Sequence, residues 1–316
     1  MRKMALLFLL LPLVTNMLIA EDQTTTEKAA ETGITSSNEL FLQTSSLPEI
    51  KLGFIKRFSF PFLQGESPLT EGNNIGLNLS AEISPVSING IVEAIWTPIA
   101  FFQFAAGGRI GTGWSLDLFG SEIHGIGLNG ADAAGNAKYD GSAFDGLLWK
   151  MQTGGALQAD LAAVFPGDWH HVVIRSYHEI GYKGYSRAAK NESWYFEDDA
   201  GENCNGFNYY GNLVIGYQMP IFLDFVALLA EANLYLYDTP DRSRWGDEKI
   251  QWRFSTILNF TITERISVAV ITQFITQRNY VESNWEDLYY RNRTIDDSDP
   301  LSLRFFRVAA ALTYKL

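Results

Sequence analysis

Cysteine is almost absent from this chain: Cys204 is the one thiol in 316 residues. An intramolecular disulfide is excluded, and so is a lipid-modified N-terminal cysteine, because Cys204 lies far from the start. Set among Asn203, Asn205 and Gly206, it reads as a bystander in a loop. Histidine is also scarce, with His124, His170, His171 and His178. His170 and His171 are adjacent, as are His178 and Glu179, and neighbours in a strand point to opposite faces, which makes poor chelates and poor catalytic pairs. No catalytic constellation, metal site or cofactor site is therefore expected. Positive charge is in deficit, with a formal net charge of −12, which argues against nucleic acid as a partner. Long apolar runs are missing beyond the first twenty residues, which disfavours a helical membrane protein. No linker rich in Pro, Gly or Ser divides the chain, so one large domain is expected.

At the front, Arg2 and Lys3 precede an apolar run from Met4 to Val14 that continues past Thr15 and Asn16 to Ala20. A charged start, an apolar centre and a small residue at the end have the layout of a secretory signal peptide, residues 1–20, cut after Ala20. Residues 21–48 are rich in Thr, Ser and Glu and read as a polar, flexible periplasmic segment.

Mean hydropathy is only −0.04. Locally, however, apolar and polar residues alternate with persistence. In residues 250–262, Ile250, Trp252, Phe254, Leu258, Phe260 and Ile262 lie on one face and Gln251, Arg253, Ser255, Asn259 and Thr261 on the other; Thr256 and Ile257 depart from the pattern. Residues 147–165 and 266–277 repeat it. The last segment places Phe306, Val308, Ala310, Leu312, Tyr314 and Leu316 on even positions, with Arg307, Thr313 and Lys315 on odd ones. A period of two puts one face of a strand in hydrocarbon and the other in a polar interior. Segments of 13 to 19 residues also exceed the ~5 to 6 of ordinary globular strands and suit tilted strands that cross a bilayer.

The final strand, ending Tyr314-Lys315-Leu316, resembles the C-terminal strand of bacterial outer-membrane β-barrel proteins, with Leu316 where Phe is usual. The resemblance implies an all-β, transmembrane, antiparallel up-and-down barrel over residues 49–316. It further implies outer-membrane lipid as surroundings, and recognition of that strand by the outer-membrane insertion machinery.

Turn lengths are a separate test, since such barrels have short periplasmic turns and long outer loops. Tight connections fall at Thr97 and Pro98, Pro166 to Asp168, Met219 and Pro220, and Thr263 and Glu264. Long ones fall at 64–72, 116–145, 186–206, 238–247 and 281–300. The strands are then 49–63, 73–97, 99–115, 147–165, 169–185, 207–218, 221–237, 248–262, 265–280 and 301–316. That makes about ten, with the last closing against the first. Residues 73–97 are long for one strand and change phase between Ile83 and Val86, which a bulge at Ser84 and Pro85 would explain. A turn there would give eleven and move the 116–145 loop to the other side; twelve would follow if part of 21–48 or 116–145 also pairs. Ten is also the strand count of the omptin proteases, whose Asp pairs and Asp–His pair have no match here.

Two aromatic bands are expected at the headgroup levels. Trp96, Phe165, Trp169 and Phe222 form the lower one, and Trp114, Tyr182, Tyr185 and Trp245 the upper. Lys56 breaks the apolar row of Leu52, Phe54, Phe58 and Phe60. The inward, lumen-lining charges are Arg57, Glu82, Glu93, Arg109, Lys150, Asp160, Arg175, Glu179, Lys183, Glu231, Lys249, Arg253 and Arg307, with Glu82 or Glu93 as partners for Arg307. Their mixture of signs predicts cross-lumen pairing, or else a polar path for small solutes. The outer loops are acidic, and Trp194, Tyr195, Phe196, Trp285, Tyr289 and Tyr290 are the candidate surface for an extracellular ligand. A structural or surface-binding barrel is the function expected first, a narrow channel second, and an outer-rim hydrolase third.

Overall fold

A computed structural model describes residues 33–47, 49–118, 121–197, 201–236 and 239–316. The expected signal peptide and residues 21–32 lie outside the described residues. The chain runs β1 (Thr35–Ser45), β2 (Ile50–Pro61), β3 (Asn74–Ser84), β4 (Ser87–Ile99) and β5 (Phe102–Gly113). Four short strands follow: β6 (Leu116–Leu118), β7 (Ser121–Ile123), β8 (Ile126–Ala131) and β9 (Ala137–Asp140). Next come β10 (Leu148–Asp160), β11 (Val172–Tyr185) and the short β12 (Trp194–Phe196). The chain ends with β13 (Gly206–Gln218), β14 (Leu223–Tyr235), β15 (Gln251–Thr263), β16 (Ile266–Arg278) and β17 (Leu301–Lys315).

Twelve strands, all but β6 to β9 and β12, form one closed antiparallel barrel in the order β1-β17-β16-β15-β14-β13-β11-β10-β5-β4-β3-β2. Closure leaves no unpaired edge, which is what a sheet in lipid requires. On the outer wall, side chains such as Leu52, Ile110, Leu213, Leu228 and Leu312 are exposed, while the inner wall buries Glu82, Glu231, Arg253 and Arg307. An apolar exterior around a polar interior is the construction of an outer-membrane β-barrel.

The strand count is twelve rather than ten for two linked reasons. Residues 35–45, expected within the flexible segment, form β1, which pairs with both β2 and β17. Its outward face carries Leu40 and Leu42, while Glu39, Phe41 and Gln43 are buried inside. The phase change near Ser84 is a tight turn at Pro85 and Val86, with Ser84 opposite Ser87, and not a bulge. Proline pre-sets the first turn position, which makes the two-residue connection cheap. Either extra strand alone would reverse the sense of the loops; together they keep 114–147, 186–205, 236–250 and 279–300 at one end. The connection 62–73 accordingly lies with the start of β1 and the end of β17 at the periplasmic end, not the outer rim.

β17 also departs from its simple alternation. Its register with β16 shifts between Gln273 opposite Arg307 and Phe274 opposite Phe305, leaving Phe306 as an extra residue. This bulge turns Phe306 inward, so it is 4% exposed, while Phe305 takes the outer face at 53%.

The interior is not wholly polar. Ile257, the exception in its segment, packs inside with Val214, Phe225, Ala227, Leu229, Ile271 and Ala309. Of the aromatic bands, the lower holds, with Trp96, Phe165, Trp169 and Phe222 all exposed. The upper band is instead built from Trp149, Tyr182, Phe207 and Trp252, since Tyr185 and Trp245 are fully buried beneath the loops. Lys56 faces outward near the periplasmic end, its Nζ 3.5 Å from Ser36 Oγ and 5.1 Å from the Phe58 ring centroid. There it can snorkel to the headgroups.

Candidate functional site

The interior charges meet mainly along the wall. Arg57 pairs with Glu39 at 2.7 Å and Lys150 with Glu179 at 2.6 Å; Glu82 receives both Lys51 and Arg109, each at 3.4 Å. Tyr210 donates to Glu231 at 2.8 Å, and Arg253 lies 4.0 Å from the same carboxylate. Arg307 donates to Glu49 and to Gln273 rather than to Glu82 or Glu93, and Gln273 continues to Ser255 at 3.0 Å. Pairing of this kind offsets the desolvation of each ion.

Five expected lumen residues stand apart from these clusters. Glu93 accepts from Asn78 at 3.3 Å, and Arg175 lies over the Tyr177 ring at 5.2 Å. Asp160 sits at the periplasmic end of β10, 2.6 Å from His171 Nδ1, and accepts from the Ala162 backbone. Lys183 reaches Asn203 at 2.5 Å and faces the rings of Trp194 and Tyr235. Lys249 is not in the lumen: it precedes β15 on the rim and pairs with Glu248 at 3.5 Å. It lies two residues before β15, so the expected strand 248–262 extended the alternation too far.

The loop aromatics are a cap rather than a surface. Trp194, Tyr195 and Phe196 are buried, as is Tyr290; Trp285 and Tyr289 are half-buried. β12 joins β8 and β9 in a small sheet, and Trp194 packs with Ile126, Leu148 and Tyr185. Tyr290 meets Trp245 edge-on at 4.6 Å, and Ser193 bonds Tyr289 at 2.5 Å. Asn136 bridges to Leu288, so the loops 114–147, 186–205 and 279–300 interlock. Cys204 is buried here, its Sγ 3.1 Å from Arg291 Nη2.

From this cap one side chain reaches down to the barrel wall. Glu197 follows β12 with a positive φ of 53° and donates its backbone N–H to Gly125 at 2.6 Å. Its buried carboxylate accepts from Lys51 Nζ and Asn89 Nδ2, both at 3.3 Å, and from Ser87 Oγ. Those partners belong to β2 and β4, whereas the loop springs from β11 and β13, so the contact reaches past β10 and β5 around the ring. Arg109, 5.4 Å from the Phe196 ring, covers the neighbouring side chain. Sequence periodicity could not signal Glu197, because a loop contact has no period. Glu39 lies on β1, outside every expected strand, and Glu49 belongs to the β1–β2 connection; Lys51 shares the inward parity of Arg57 on β2, so alternation did signal it, although it is absent from the expected lumen charges.

In the rim connection 236–250, Asp247 is buried next to Thr239 and Arg242. Burial raises its carboxyl from 3.8 to about 6 against the pull of Arg278 and Arg242. A raised pKa binds extra protons in the folded state, so this contribution is full below about 4 and lost as pH climbs through 6. Amide exchange of residues 239–250 is expected to be faster at pH 7.5 than at pH 5 after correction for intrinsic rates. Equal corrected rates would exclude Asp247 as the cause.

Comparisons with solved structures return barrels at low identity. The KdgM porin matches at 11% identity with a TM-score of 0.38, covering 89% of this chain and 99% of that one. The β domain of the Bordetella autotransporter BrkA matches at 10% and 0.38, covering 89% and 98%. An anion-selective porin from Comamonas acidovorans matches at 7% and 0.27, covering 90% and 99%. No protein-family model and no curated protein matches the chain.

Proposed function

We propose that this chain is a structural outer-membrane barrel whose mouth is closed by its own loops and whose acidic outer surface meets an extracellular ligand. The observation that carries the closed state is Glu197, which ties the cap to the wall at β2 and β4 through Lys51, Ser87 and Asn89. With the loop aromatics buried, recognition falls to exposed carboxylates such as Asp132, Glu248, Glu286, Asp287 and Asp297, which favour a cationic ligand. Neither a catalytic centre nor a cofactor enters this reading. Export by residues 1–20, cleavage after Ala20 and insertion through the C-terminal strand complete it.

A channel is the second reading, favoured by one observation. Along β3, β4, β5, β10 and β11 the inward residues Asn78, Glu93, Gln103, Gln152 and Arg175 remain partly exposed, unlike the filled wall of β13 to β17. Planar-bilayer recording of the full chain decides between the two. Sustained silence supports the closed barrel, whereas steady conductance whose ion selectivity changes with Arg175→Glu establishes the channel. Converting Glu286, Asp287 and Asp297 to amides should abolish retention on polylysine without affecting barrel insertion; unchanged retention would remove the surface-binding part.

A further inference from the structure

On the lipid-facing wall, Ser176 and His178 of β11 and Tyr209 of β13 form a polar cluster. Ser176 Oγ lies 3.1 Å from His178 Nε2, and His178 Nδ1 lies 2.7 Å from the Tyr209 hydroxyl. All three alternate with the inward Arg175, Tyr177, Glu179 and Tyr210, so they point away from the lumen. The cluster is built in, because a Cβ at Gly211 would sit 2.5 Å from the Tyr209 hydroxyl. Only glycine there lets the phenol fold down to the imidazole.

Its depth follows from the register. One row runs Trp96, Phe104, Gly155, His178, Gly211, Ala232, Trp252 across seven neighbouring strands. The strands are tilted, so this row climbs from the lower aromatic band at Trp96 to the upper one at Trp252. His178 is three strands from each. It therefore sits near the bilayer midplane, below any lipid ester and far from water, where an ionisable residue is costly and marks function.

Hydrogen-bond accounting then demands a partner. With a neutral imidazole the cluster has three polar hydrogens: one on the ring, one on Ser176 and one on Tyr209. Its two internal bonds use two of them, and the three side chains make no other hydrogen bond among the described residues. One hydroxyl hydrogen is left facing hydrocarbon, which offers no acceptor.

We propose that this face is the interface with a second copy of the chain, related by a two-fold axis along the membrane normal. Such a symmetry preserves depth, so each cluster meets its own counterpart. The fit is self-complementary, because every hydroxyl is both donor and acceptor, and the leftover hydrogen of one copy finds a hydroxyl oxygen on the other. Gly155 and Gly211, on either side of His178, keep the wall low enough for close approach.

The test is photocrosslinking in intact outer membranes, using full chains with a photoreactive phenylalanine analogue. Leu157 and Leu213 flank Ser176 on both sides, and Leu42 on β1 lies opposite in the ring. Homodimer adducts are expected at 157 and 213 but not at 42. The Ser176→Ala, His178→Leu, Tyr209→Phe triple variant should lower the adduct yield by about tenfold, while the heat-dependent gel shift confirms that the barrel is folded. Adducts only with lipid or another protein, equal yield at position 42, or an unchanged yield in the folded triple variant would overturn the proposal.

Discussion

Replacing Glu197 by alanine is expected to release the cap. The substitution removes the acceptor of Lys51, Ser87 and Asn89 at once, and leaves Lys51 with Glu82 shared between it and Arg109. Breaking a buried ion pair by removing one partner costs about 3 to 5 kcal/mol. Expressed as local opening, that is a rise of roughly a hundredfold or more in the amide exchange of residues 186–197. Glu197→Gln keeps the shape and one acceptor oxygen but loses the charge, so its effect should fall between. Exchange in β14 to β16 should not change, because those strands do not touch the latch. The same variant informs function. Conductance that appears only with Glu197→Ala identifies the lumen below the cap as a passage, and continued silence identifies it as filled. Exchange unchanged from the parent chain would show that the loop packing of Trp194 and Tyr195, not the carboxylate, holds the mouth shut.

The barrel was legible wherever strong apolar side chains kept one phase. Residues 250–262 show this, since Trp252, Phe254 and Phe260 all face outward and Arg253 and Asn259 inward. β1 was not legible because hydrocarbon contact needs few of its positions: Leu40 and Leu42 alternate with Glu39 and Gln43, and the remainder looks like a solvated tail. The β3–β4 turn was visible as a phase change at Pro85, but a bulge produces the same local signal. Counting parity over the whole chain separates the two only once β1 is known. Phe306 was similarly recoverable. Leu303 and Phe305 are odd and Val308 and Leu312 even, and that inversion is the mark of one inserted residue. Of the lumen residues, most strand-borne ones followed from alternation, Glu39 of the unexpected β1 and Lys51 of β2 excepted, whereas their pairing did not. Glu49 and Glu197 come from connections, and a period of two says nothing about where a connection folds. The loop aromatics misled for a related reason: Trp and Tyr in acidic loops suit a recognition surface, yet equally suit the small core that three interlocking loops need.

The second large effect is expected at Arg307, which the bulge next to it helps to bury. Its guanidinium bonds Glu49 and Gln273 and lies 5.2 Å from the Phe306 ring, with Arg253 5.7 Å from the same ring. Turning Phe306 inward thus places an aromatic face beside two like charges, which its quadrupole helps to accommodate. Arg307→Leu removes the cation but leaves Glu49 buried, with one oxygen already lacking a partner. A loss of about 3 to 5 kcal/mol is expected in urea unfolding from lipid vesicles. Because the cost is the stranded carboxylate rather than a lost attraction, Arg307→Leu combined with Glu49→Leu should recover most of it. The β1–β2 turn and β17 meet at this pair, so recovery would also show that closure of the barrel depends on neutrality at the seam and not on the ion pair itself. A double variant as unstable as Arg307→Leu alone would place the loss in the Gln273 and Ser255 chain instead, and Gln273→Leu would then reproduce it.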